Sequence, residues 1–119
     1  MDPRIQKGLQ YFDESEYFEA HEIWEEVWTE ESGARHAFLQ CLIQVAVAMH
    51  HASNSNWKGT RKLCASALGY LEKGRVDSDP VDLDALKEKI IDFEISVQAV
   101  LRGETVQLPF FKMPLRSGN

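Results

Sequence analysis

The chain has little of what would announce a chemistry outright. Only two residues of 119 are cysteine, Cys41 and Cys64, each among apolar helical neighbours and neither in the close Cys or His spacing of a zinc knuckle. Both read as reduced core thiols, since a reducing compartment disfavours a disulfide between them. No apolar run approaches the roughly 20 residues that span a bilayer, and the opening M-D-P-R-I-Q-K-G lacks the apolar core of a signal peptide. The expected location is therefore the cytoplasm, with no membrane partner. Positive charge is short as well: 13 Lys and Arg against 19 Asp and Glu leave a formal net charge of -6. Nucleic-acid binders need a dense cationic face to displace counterions, so no nucleic-acid partner is expected. Glycine-rich phosphate loops are missing. Ser15, Ser53, Ser55 and Ser66 lack a nucleophile-elbow context, and Cys64 has no histidine near it in sequence, so no covalent catalyst stands out.

Alternating strand patterns are absent too, and what remains is helical periodicity. With 44% hydrophobic and 27% charged residues the composition is that of a globular protein, and the length suits one helical domain over residues 1–119. Punctuation predicts five helices. The first opens at Pro3 and ends near Phe12; Ser15 caps a second that continues to Glu31, with Gly33 ending it. The third runs from Ala34 to Ser53. Ser53-Asn54-Ser55-Asn56 is a polar turn that launches the fourth, Trp57 to Lys73, stopped by Gly74. Past Asp79-Pro80, the fifth runs from Asp82 to Arg102 with one apolar seam, Leu83, Leu86, Ile90, Phe93, Val97 and Val100. The tail 104–119, with Leu108-Pro109-Phe110-Phe111 and Met113-Pro114-Leu115, is too apolar for water and is expected to lie extended on the bundle. The alternative is that Phe110 and Phe111 anchor a partner subunit in a homo-oligomer. The fold class is thus all-α, a compact five-helix bundle with a buried central helix, about 34–53, and an extended C-terminal tail.

The third helix is apolar on nearly all sides, which assigns it to the centre. Its polar residues Gln40, Gln44 and His51 share one stripe flanked by Ala37 and Ala48, and a buried polar stripe must find partners. On the second helix Tyr17, Ala20, Trp24, Val27 and Trp28 form the apolar face. Glu19, Glu22, Glu26 and Glu30 lie opposite, part of a solvated acidic cluster with Glu14, Glu16 and Glu31. His21 and Glu25 sit between these faces, bracketed by Phe18 and Trp28, and at i and i+4 they can touch. His50, beside Leu39 and Ile43, reads as structural, and His36 as facing solvent. A faint echo links Tyr17-Phe18-Glu19-Ala20 to Trp57-Lys58-Gly59-Thr60. Each begins as a tetratricopeptide helix does, but the 40-residue offset differs from the 34 of that repeat.

Two functional readings follow. In the first, His21, Glu25, Gln44 and His51 form a buried polar cluster of a binding or interaction domain, for a small molecule or a protein. In the second, His21 and Glu25 meet Gln44 and His51, or His50 in its place, to hold a divalent metal such as zinc, manganese, iron or nickel in a metal-dependent hydrolase, with His21, Glu25 and His51 as the ligand set and Glu22 or Glu25 as ligand or general base. The pattern stops short of known signatures: H-E-I-W-E puts Glu25 where the zincin motif needs its second histidine, and no Glu-x-x-His pair exists.

F-D-E-S-E-Y-F-E-A-H-E-I-W-E-E-V-W, then F-L-Q-C-L-I-Q-V-A-V-A-M-H-H, then N-W-K-G, resembles the family of small bacterial and archaeal helical proteins known as domain of unknown function 309, over roughly residues 9 to 72. The resemblance implies a multihelical bundle with a buried central helix. Its pattern falls on His21, Glu22, Glu25 and Trp28, on Leu42, Ile43, Gln44 and His51, and on Asn56 and Gly59. Ser55 and Thr60 depart from its G-N-x-x-G-A turn, which questions a tight backbone role for residue 55.

Overall fold

A computed structural model describes residues 2–117. The protein is all-α: α1 (Pro3–Asp13), α2 (Tyr17–Trp28), α3 (Gly33–Ser53), α4 (Trp57–Lys73) and α5 (Leu83–Leu101), with a 3-10 turn at Arg75–Asp77. Among the described residues the only β-pairing is an isolated bridge between Val81 and Leu115. Each helix packs chiefly on its sequence neighbours, α1 on α2, α2 on α3, α3 on α4 and α4 on α5. From Phe38 to Ala52, every residue of α3 except Gln40, Gln44, Val47, His50 and His51 is buried, so the expected central helix is found.

The α2 boundaries differ from expectation at both ends. Ser15 does not cap the helix; it takes a left-handed conformation (φ 63°), and Glu16 occupies the cap position without a side-chain hydrogen bond. At the other end α2 stops at Trp28 rather than Glu31. Acidic residues oppose the partial negative charge of a helix C-terminus. Glu30 is instead drawn to Arg4 at 2.7 Å, and the Thr29 hydroxyl donates to the Glu26 carbonyl at 2.8 Å. Gly33 consequently opens α3.

The turns that start α2 and α4 are built alike. In the first, Glu16 N–H donates to the Tyr11 carbonyl (2.8 Å) and Ser15 N–H to Phe12 (3.0 Å); in the second, Asn56 N–H donates to His51 (2.8 Å) and Ser55 N–H to Ala52 (3.1 Å). Ser55, like Ser15, is left-handed (φ 59°), so residue 55 keeps the tight backbone role that its departure from glycine had questioned. Ala20 and Thr60, at equivalent places one turn into each helix, are fully buried. The echo therefore marks two antiparallel hairpins, α1–α2 and α3–α4, with the same turn.

Their packing differs. In the first hairpin the backbone of α1 comes so close to α2 that a β-carbon on Gly8 would collide with the Trp24 indole, whose N–H donates to the Ile5 carbonyl at 3.2 Å. In the second, Thr60 and Cys64 pack in the corresponding places, and the Thr60 hydroxyl donates to the Asn56 carbonyl at 2.8 Å. Cys41 and Cys64 are both buried and free. Along α5 the seam holds from Leu83 to Val97, with Val100 only half-buried and Ala99 buried in its stead. The tail docks in extended form: the Phe111 ring lies 5.7 Å from Phe12, Phe110 lies 5.1 Å from Phe93, and Met113 N–H donates to the Asp13 carboxylate at 2.8 Å. The tail's last two residues, Gly118 and Asn119, lie outside the described residues.

Candidate functional site

The α2–α3 contact is antiparallel, with Trp28 opposite His36 and Phe18 opposite His50; the ring centroids are 4.5 Å and 6.1 Å apart. Toward the second of these ends the two helices part to leave a cleft of about 150 Å³, lined by Tyr17, Phe18, His21, Val47 and His50. Its walls are largely aromatic and aliphatic, and two imidazoles reach it from different helices. Phe18 is 50% exposed, an apolar ring left uncovered beside the opening.

His21 is held on both sides. Its Nδ1 lies 3.2 Å from the Phe18 carbonyl and its Nε2 lies 3.3 Å from the Glu25 carboxylate. A carbonyl can only accept, so Nδ1 carries a proton, and in the neutral ring Nε2 is an acceptor open to a donor entering the cleft. The expected i, i+4 contact of His21 and Glu25 is thus present. Glu22 is exposed, and no ion pair is formed by it among the described residues.

The α3 residues fall differently from expectation. His51 does not meet His21: it faces α4, where Asn56 Nδ2 donates to its Nδ1 at 3.1 Å. The Gly59 N–H donates to Asn56 Oδ1 at 3.1 Å, which fixes the amide's orientation and makes His51 Nδ1 an acceptor, with its proton on Nε2. Gly59 has a reason to be glycine, because a β-carbon there would press on the Asn56 amide. His50, read from sequence as structural, is exposed and lines the cleft instead. The reversal follows from geometry: adjacent helical residues point about 100° apart, and on a helix apolar almost all round the sequence does not show which one faces α2. His36, expected to face solvent, is half-buried and stacked on Trp28. Gln44 also departs from expectation. Its Oε1 is buried without a hydrogen-bond partner among the described residues, as is Trp28 Nε1.

The proposed metal set is not assembled. Among the described residues no group of three or more His, Cys, Asp or Glu side chains converges so as to hold a metal ion, and the His21–Glu25 pair offers two. The thiols offer no nucleophile: burial raises Cys41 to about 12, and burial followed by the Glu94 charge raises Cys64 to about 12. Sequence reasoning missed Tyr17 and Val47 as cleft residues and held His50 only as the alternative to His51. A signal for the site was present in Phe18, an aromatic opening a helix side that is otherwise acidic.

Fold and cleft together define a small helical protein made of two hairpins, a fifth helix and a strapped tail, with an imidazole-bordered cleft between the hairpins. Residues 5–63 match the family model described as "Domain of unknown function (DUF309)", and the chain belongs to that family. It is similar to "Uncharacterized protein YpuF" of Bacillus subtilis (strain 168), with 31% identity over 97 residues, 79% of this chain and 56% of that protein. The chain thus spans a little over half the length of this relative. No described helix is long and apolar enough to cross a membrane.

Proposed function

We propose that the chain is an interaction module whose α2–α3 cleft takes one apolar side chain of a partner polypeptide. The observation that carries this reading is the cleft itself, apolar within, bordered by His21 and His50, and flanked by the half-exposed Phe18. Its size selects the occupant. Pockets for cofactors and larger ligands run from about 300 to 1,000 Å³, whereas an apolar cavity of about 150 Å³ takes a benzene-sized ring. The cleft, at about 150 Å³, matches a single aromatic or branched aliphatic anchor of the kind that dominates protein interfaces. At its border the His21 Nε2, with the ring's proton on Nδ1, suits a backbone N–H flanking such a side chain. The hydrolase reading lacks support of this kind, since its ligands His21 and His51 face different helices.

N-acetyl-phenylalanine amide is a direct probe, with its alanine counterpart as control. A ligand of this size is expected to bind with Kd on the order of 1 mM. Val47→Trp, which fills the cleft, should abolish binding, and Phe18→Ala, at an exposed position, should weaken it with the fold intact. Equal binding by the alanine compound, or by both variants, would overturn the proposal.

A further inference from the structure

The cations of this acidic protein are distributed unevenly. Arg4, Arg35, Arg75, Lys87 and Arg102 form ion pairs; Arg116 donates to Ser78; Lys7, Lys73 and Lys89 lie over aromatic rings. Among the described residues this leaves Lys58, Arg61, Lys62 and Lys112 without an ion pair, side-chain hydrogen bond or ring. Three of these four line one groove between α4 and α5, of about 620 Å³, together with Ala65, Glu94 and Leu101.

The two walls have different characters. Lys58, Arg61, Lys62 and Ala65 stand at i, i+3, i+4 and i+7, a single stripe about 10 Å long on α4. On α5 the groove is lined by Leu101, 40% exposed, and by Glu94 seven residues before it on the same face. A cationic stripe on α4 with the apolar Ala65 and Leu101 at its end is the complement of an amphipathic helix with carboxylates along one edge.

We propose that the α4–α5 groove is a second docking surface, independent of the α2–α3 cleft, and that it takes an acidic amphipathic helix of a partner protein. Such a helix sets Asp or Glu at three- and four-residue steps against Lys58, Arg61 and Lys62, and its apolar edge against Ala65 and Leu101, as in helix-in-groove recognition. Charge discriminates against other anions. Glu94 stands inside the groove and the chain carries -6 overall, so a dense polyphosphate or an anionic bilayer meets repulsion beyond three local cations. A helix with carboxylates on one edge only is steered to the one face that attracts it.

The probe is a fluorescein-labelled 18-residue peptide of Glu, Leu, Ala and Gln with Glu along one helical edge. It is read by anisotropy beside a scrambled peptide of the same composition, a single-stranded oligonucleotide and phosphatidylglycerol vesicles. Saturable one-to-one binding is expected for the helical peptide, weakening with salt, and reduced at least tenfold by Arg61→Glu with Lys62→Glu. Glu26→Lys, on exposed α2, should leave the affinity within twofold. If charge reversal disturbs folding, Lys58→Gln with Lys62→Gln supplies the same comparison without new charge. Undiminished binding by the variants, equal binding of the scrambled peptide, or capture of the oligonucleotide or vesicles in preference to the peptide would overturn the proposal.

Discussion

The two hairpins share a turn and differ in what secures it. Both begin their second helix after a left-handed serine, at positions 15 and 55. The α3–α4 turn is then tied by Asn56, which caps Gly59 through one amide atom and holds His51 through the other. The α1–α2 turn has no such tie. Glu16 makes no cap, and its carboxyl is raised above its ordinary value by a hydrogen bond with Glu19 and by that residue's charge. What the first hairpin has is the large Trp24 packed against Gly8, with Thr60 and Cys64 in the corresponding part of the second. Stability in one hairpin thus comes from an aromatic interior and in the other from a hydrogen-bonded turn. The consequence for the site is direct. His51 and Asn56 are committed to the turn, while Phe18 and His21, one turn into α2, stay available beside the cleft.

The largest effect is expected where the hairpins differ most. Trp24→Ala should cost about 3–5 kcal/mol in chemical denaturation, against roughly 1 kcal/mol for Cys64→Ala at the matching place. Similar losses at both would break the contrast. Next come the caps: Asn56→Ala should lose about 1 kcal/mol, whereas Glu16→Asn should gain stability. A raised carboxyl is favoured in its protonated form, so the folded state is relatively better off below the ordinary value of 4.5 and loses that advantage as pH rises. The gain from Glu16→Asn should therefore be larger at pH 7 than at pH 4, as melting curves at the two values would report. Ser15→Gly and Ser55→Gly should each stabilise by about 1 kcal/mol, relieving the left-handed backbone, and a loss at either would show its serine side chain to matter. Smallest near neutrality is the thiol effect. Both thiols ionise near 12 in the fold against an ordinary 9.0, so stability should be unaffected below pH 9 and fall between pH 9 and 12. A thiol reagent should find neither cysteine at pH 8 until the protein unfolds.

Much of the fold was legible because its punctuation is local. Asn56 and Gly74 bracket α4, and its limits Trp57 and Lys73 can be read directly. The end of α2 was not legible, because Glu30 answers to Arg4 on another helix. The site divides in the same way. His21 with Glu25 is a neighbour relation along one helix, which spacing reveals. The choice between His50 and His51 depends on how α3 is rotated between α2 and α4, and a helix that is apolar on nearly every side carries no marker of that rotation. The Lys58, Arg61 and Lys62 stripe was not read from the sequence, because its lack of counterions emerges only once each other cation is matched to its partner in three dimensions.

The chain contains four histidines, two bordering the cleft and two engaged elsewhere, and their ring proton signals test the cleft directly. In a titration with N-acetyl-phenylalanine amide, the His21 and His50 signals should move together and saturate together, while those of His36 and His51 stay in place. Stationary His21 and His50 signals, or a response led by His51, would contradict a binding cleft between the two hairpins.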